Sequence, residues 1–72
     1  MEDLRVLLGR RIKQLRLERN ITQEMLAEYI NVSSRYLISI EHGEKWPRHD
    51  KIEKLAEVFN VTYRDLFDFP DK

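Results

Sequence analysis

The chain has 72 residues, no cysteine, and 13 basic side chains against 13 acidic ones, for a formal net charge of zero. That length makes one domain with a small core, and the lack of cysteine excludes disulfides, thiolate nucleophiles and cysteine-held zinc. No apolar run is long enough to cross a bilayer and no leader pattern opens the sequence, so a cytoplasmic protein is expected.

Leu4, Leu8, Ile12 and Leu15 recur at helical spacing and predict a first helix with one apolar stripe, its N-terminus suited by Glu2 and Asp3. Gly9 interrupts this helix at a cost of about 1 kcal/mol relative to alanine, which points to close packing there. Asn20 marks its stop, because asparagine tolerates the left-handed backbone that ends helices. In Ile21-Thr22-Gln23-Glu24-Met25-Leu26 a cap residue follows one apolar residue and precedes another by four positions. That is an N-cap with a hydrophobic staple, and it opens a second helix. The pattern returns in Val32-Ser33-Ser34-Arg35-Tyr36-Leu37 and in Val61-Thr62-Tyr63-Arg64-Asp65-Leu66, where Asp65 adds a capping-box-like acid.

Asn31 and Asn60 stand as stops before these two starts, and Gly43 follows the helix begun at Ser33. A single residue separates Asn31 from the Ser33 cap, so the second and third helices form a tight helix-turn-helix over about residues 22–42. After Pro47, a fourth helix has Ile52, Leu55, Ala56 and Phe59 as its apolar face, with Arg48 standing where a cap is expected. The expectation is a compact all-α chain of five helices without strands, one domain over residues 1–72.

Winding the third helix at about 100° per residue from Ser34 gives it an orientation. Ser34, Ile38, His42, Arg35 and Ser39 fall between 0° and about 140°, while Tyr36, Ile40 and Leu37 fall between about 200° and 300°. A solvated face of an amphipathic helix accounts for all of the first group except Ile38. A thymine methyl in a major groove would account for that one.

The charge distribution is ambiguous. Residues 1–40 carry seven Lys or Arg against five acids, a net of +2, and the remainder carries six against eight, a net of −2. Ordinary solvated helix faces explain this asymmetry as well as a nucleic-acid surface does.

From Leu8 to Phe67 the sequence resembles the lambda-repressor/Cro-like, or XRE, helix-turn-helix family. The stretches that carry the resemblance are LGRRIKQLR, TQEMLAEYINVSSRYLISIEHG and KIEKLAEVFNVTYRDLF. It implies sequence-specific binding of double-stranded DNA by a transcriptional regulator, a repressor, with the third helix (about Ser34–His42) in the major groove. Ser34, Arg35 and Ser39 match positions that read base edges, and Arg35 suits a bidentate pair with guanine. Ile38 joins them as the apolar base contact. Gln23 matches a glutamine that holds a phosphate, where helix-end amides favour an anion. Thr22, Ser33, His42, Lys45 and Arg48 complete the expected contacts to the DNA backbone.

Other matching positions belong to the scaffold. Arg16 and Glu41 correspond to an ion pair that links the first helix to the third from inside, and Glu41 lies at about 340° on the wheel, the edge of the buried face. Ala27 corresponds to a small residue between the second and third helices. The chain departs from the family pattern at Asn31, usually glycine, at Arg48, usually a capping residue, and at His49, usually apolar. The last two leave the start of the fourth helix open. Trp46 is read as a cover over the core between the third and fourth helices, with a DNA sugar-phosphate edge or a second copy as the alternative.

The resemblance further implies a homodimer on an inverted-repeat operator, with half-sites about 34 Å apart or a multiple of that. The segment from Tyr63 to Pro70 is rich in aromatics. One of Phe67 and Phe69 is expected in the core, and the surplus suits a dimer interface or a protein partner such as a toxin. The family's distribution points to a bacterial nucleoid or a phage-encoded protein in a bacterial host. No enzymatic activity is expected, since no nucleophile–base set or phosphate-cradling glycine loop is present. His42 and His49 are separated by a helix end, so neither a metal nor another cofactor is expected.

Overall fold

Helices begin here where a short polar side chain can close the first turn. In the computed structural model of the protein, which describes residues 2–69, Asp3 accepts the Arg5 N–H at 2.8 Å and opens α1 (Leu4–Glu18). Thr22 accepts the Met25 N–H at 3.1 Å and opens α2 (Gln23–Tyr29). Ser33 does the same for Tyr36 at 3.0 Å and α3 (Ser34–Glu41), and Thr62 for Asp65 at 3.1 Å and α5 (Tyr63–Leu66). The exception is α4 (His49–Phe59), which starts behind Arg48 without a side-chain cap bond. Each missing cap leaves a first-turn N–H to solvent.

The helix ends share one device. Asn20, Asn31 and Asn60 have φ of 55°, 59° and 56°, and Gly43 has φ 78°. The residue after each asparagine then donates its N–H five residues back: Ile21 to Arg16, Val32 to Ala27 and Val61 to Ala56, at 2.9–3.1 Å. This left-handed closure turns the chain within one residue. It also places Ile21, Val32 and Val61 just before the next cap, so one apolar residue ends one helix and staples the next. All three pack against the core.

Leu8, Ile12, Leu15, Leu26, Ile30, Leu37, Ile40, Leu55, Phe59 and Leu66 form that core, closed by Ala27, Ala56 and Phe69. Leu4 does not join it; it is half exposed, so the buried stripe of α1 begins at Leu8. Periodicity gives the angular position of a side chain but not where along the axis the neighbouring helices end. Gly9 lies against α3, where a Cβ would fall 2.5 Å from the Ile40 carbonyl oxygen and 2.7 Å from that of Glu41. No described residue belongs to a strand, and no helix among them is long and apolar enough to cross a membrane.

Candidate nucleic-acid interface

Leu37, Ile40 and Glu41 of α3 are buried, which turns the opposite side of that helix outward. Arg35, Ile38 and His42 are exposed there, and Ser34 and Ser39 are half buried beside them. Positions i, i+1, i+4, i+5 and i+8 of a helix share one face, so these five side chains form a continuous surface. Ile38 keeps 36% of its surface accessible.

Most of the basic side chains near the N-terminus have partners within the chain instead. Arg11 donates from Nε and Nη2 to the Asp65 carbonyl at 3.1 and 2.9 Å, tying α1 to α5. Arg19 donates to the Phe59 carbonyl at 3.0 Å and lies over the Phe59 ring, 5.5 Å from its centroid. Arg5 pairs with Asp3 and Arg10 with Glu2. The excess of positive charge in the first forty residues is therefore largely engaged within the chain. Arg35 and Lys45, by contrast, form no hydrogen bond or ion pair within the described residues. Nothing in a residue count separates the two groups, because the partners of Arg11 and Arg19 are distant backbone carbonyls.

Arg16 and Glu41 lie at the centre of the network behind this surface. Arg16 donates from Nε to Glu41 Oε2 at 2.7 Å and from Nη2 to Oε1 at 3.2 Å, a two-pronged pair. Its remaining nitrogen, Nη1, donates to the Ile21 carbonyl at 2.9 Å and holds the α1–α2 turn. Gln23, half buried at the start of α2, donates from Nε2 to Glu41 Oε1 at 3.0 Å. The link from Gln23 to Glu41 joins α2 to α3 and was not foreseen from the sequence. Among the described residues no buried side-chain nitrogen or oxygen lacks a partner.

The other candidate backbone contacts are spread around α3. The Thr22 and Ser33 hydroxyl oxygens accept cap bonds, which leaves each hydroxyl proton to donate elsewhere. His42 is the exposed C-cap of α3, Lys45 is exposed in the following loop, and Arg48 lies 3.6 Å from Asp50 at the start of α4.

In the same loop Pro47, not Trp46, is the buried residue. Trp46 keeps 40% of its surface and stacks on Phe67, with centroids 6.2 Å apart and an interplanar angle of 28°. Phe67 in turn meets Phe69 edge-on at 6.0 Å. Trp46 thus covers the C-terminal aromatics rather than the α3–α4 core, and it ties that segment to the loop after α3. Tyr63 remains the exposed aromatic of α5, on the rim of an open groove of about 640 Å³ bordered by Glu53, Ala56, Glu57 and Val61.

Known proteins share this arrangement. The sequence model of the helix-turn-helix family matches residues 12–66. Control protein C.BamHI of Bacillus amyloliquefaciens is 35% identical over 68 residues, 93% of this chain and 84% of that protein. The cryptic phage CTXphi transcriptional repressor RstR of Vibrio cholerae is 34% identical over 56 residues, 78% of this chain and 50% of that protein. Among solved structures, the restriction-modification controller protein C.AhdI of Aeromonas hydrophila superposes with a TM-score of 0.80 at 29% identity, over 86% of this chain and 94% of that one. The chain belongs to the helix-turn-helix family, in its lambda-repressor/Cro-like (XRE) branch.

Proposed function

We propose that this protein is a sequence-specific double-stranded DNA-binding regulator of transcription that lays α3 in the major groove and represses by occupying its operator. The observation that carries the reading is the contrast among arginines. Those of α1 are engaged within the chain, while Arg35 extends from the outer face of α3 without a partner among the described residues, beside an exposed isoleucine. A free guanidinium suits the two acceptors of a guanine edge, and Ile38 suits a thymine methyl. Ser34 and Ser39 flank them as further base contacts. Thr22, Gln23, Ser33, His42, Lys45 and Arg48 contact the DNA backbone and set the register of the helix. RstR, one of the relatives, is a transcriptional repressor.

The protein binds as a homodimer on an inverted repeat. Within the aromatic C-terminal segment Phe69 is buried and Phe67 is packed against Trp46, so the part of it offered to a second copy is Tyr63 with the α4–α5 groove beside it. It acts in the cytoplasm, at the bacterial nucleoid or as a phage-encoded protein in a bacterial host.

Selection of bound duplexes from a random pool tests this directly. Near-physiological salt suppresses the sequence-independent attraction, which is weak in any case for a chain of zero net charge. Enrichment of an inverted repeat with half-sites about 34 Å apart, or a multiple, is expected. A single enriched half-site overturns the dimer. No enrichment from folded protein overturns the DNA reading and favours a module that binds a partner protein such as a toxin.

A further inference from the structure

We infer that Glu41, besides holding Arg16, is a positioning residue for DNA binding, because it fixes the amide through which Gln23 meets the phosphate backbone. The inference rests on the DNA reading above and deepens it. A glutamine amide has two faces of opposite character, since its nitrogen donates and its oxygen only accepts. A phosphate accepts, so an amide free to flip offers it a repelling oxygen part of the time. Here the flip is decided by chemistry: the group 3.0 Å from Gln23 is the carboxylate oxygen Oε1 of Glu41, which only a nitrogen can face.

The carboxylate cannot swing away. Arg16 grips both of its oxygens, and its side chain is 1% exposed. One N–H of Gln23 is thereby committed to Glu41, and the second is left to donate to DNA. The same carboxylate belongs to the last residue of α3, so the base-reading helix and the phosphate-holding amide are locked to one atom pair.

A double-mutant cycle tests this. Glu41→Asp keeps the charge beside Arg16 but withdraws the carboxylate by one methylene, away from Gln23; Gln23→Met removes the amide at similar volume. Affinity for a duplex recovered by the selection above is measured for the wild type, both single variants and the double variant, at a temperature where the melts show all four folded. Gln23→Met is expected to weaken binding about tenfold, as for a hydrogen bond to a charged group. In the Glu41→Asp background the same substitution should weaken it less than about twofold, because the amide is already unanchored.

The salt dependence separates an amide contact from a contact made by a charged side chain. A neutral amide displaces no counterion, so Gln23→Met should leave the slope of log K against log salt unchanged, whereas Lys45→Ala should reduce it by about 0.9. Additive losses at 23 and 41 overturn the inference and leave the DNA reading standing. A wild-type protein that enriches no duplex overturns both. If Glu41→Asp does not fold, side-chain amide NMR of the wild type decides. One Gln23 Nε2 proton should exchange slowly in the free protein while its sister shifts on adding the duplex, and equal exchange of the two overturns the inference.

Discussion

Arg16 and Glu41, 25 residues apart in the sequence, meet as a two-pronged ion pair with a shortest contact of 2.7 Å and side chains only 8% and 1% exposed. Removing one member leaves the other charged, buried and without its partner. Glu41→Ala is therefore expected to cost about 3–5 kcal/mol, which lowers the melting temperature of a chain this size by about 12 °C or more. Thermal and urea melts check this, and an unchanged melt would retire the pair from the scaffold.

Gly9→Ala reverses the sign that helix propensity gives. In an exposed helix the change stabilises by about 1 kcal/mol. Here the added methyl would lie 2.5 Å from the Ile40 carbonyl oxygen, so α1 and α3 must separate. A net loss of about 1–3 kcal/mol in a urea titration is expected, as for overpacking in a core. A gain in stability would mean that the two helices are not held at this distance.

Arg35→Ala separates recognition from folding. The side chain is exposed and unpartnered among the described residues, so the melt should move by less than about 0.5 kcal/mol. Discrimination at one base position should fall by about 1–3 kcal/mol in competition binding. A variant that discriminates as well as the wild type contradicts the docking of α3.

Asn31 sits at φ 59° in the turn between α2 and α3. Asn31→Gly should change stability by less than about 1 kcal/mol, since glycine adopts this backbone without strain. Asn31→Ala should cost about 1–2 kcal/mol. Chemical denaturation of the two variants side by side distinguishes them, and equal effects would argue against a left-handed turn.

Acid should weaken the start of α1. The Arg5 side-chain hydrogen bond, and after it the Arg5 backbone N–H, hold the Asp3 carboxyl below its ordinary value of 3.8, against the opposing effect of desolvation. A depressed value in the folded chain means that the charged cap stabilises fully above the unfolded value and is lost as pH falls through the folded one. The melting-temperature gap between the wild type and Asp3→Ala should accordingly be constant above about pH 5 and narrow below about pH 3.5. A gap that widens on acidification would show that the carboxylate is not the stabilising form.

Much of the architecture was legible in the chain itself. Three cap-and-staple patterns at Thr22, Ser33 and Thr62, with three asparagine stops, give the helix boundaries, because capping and left-handed closure are local chemistry acting within a few residues. The outward face of α3 was legible for a related reason: a helix fixes the angles between its own side chains. The family assignment rested on the same residues.

Beyond the Arg16–Glu41 pair, which the family resemblance implied, the sequence could not supply where distant segments meet. It offered Arg11 and Arg19 as two similar cations and Trp46 as a cover for the wrong part of the core. Only the packed chain sends Arg11 to the Asp65 carbonyl, Arg19 to the ring and carbonyl of Phe59, and Trp46 onto Phe67. The same packing ends the α1 stripe at Leu8 and hangs Gln23 on Glu41. Local hydrogen bonds are decided by a few neighbouring residues and so leave a pattern along the chain; a contact across 40 or 54 positions depends on the relative placement of whole helices, and no local pattern encodes it.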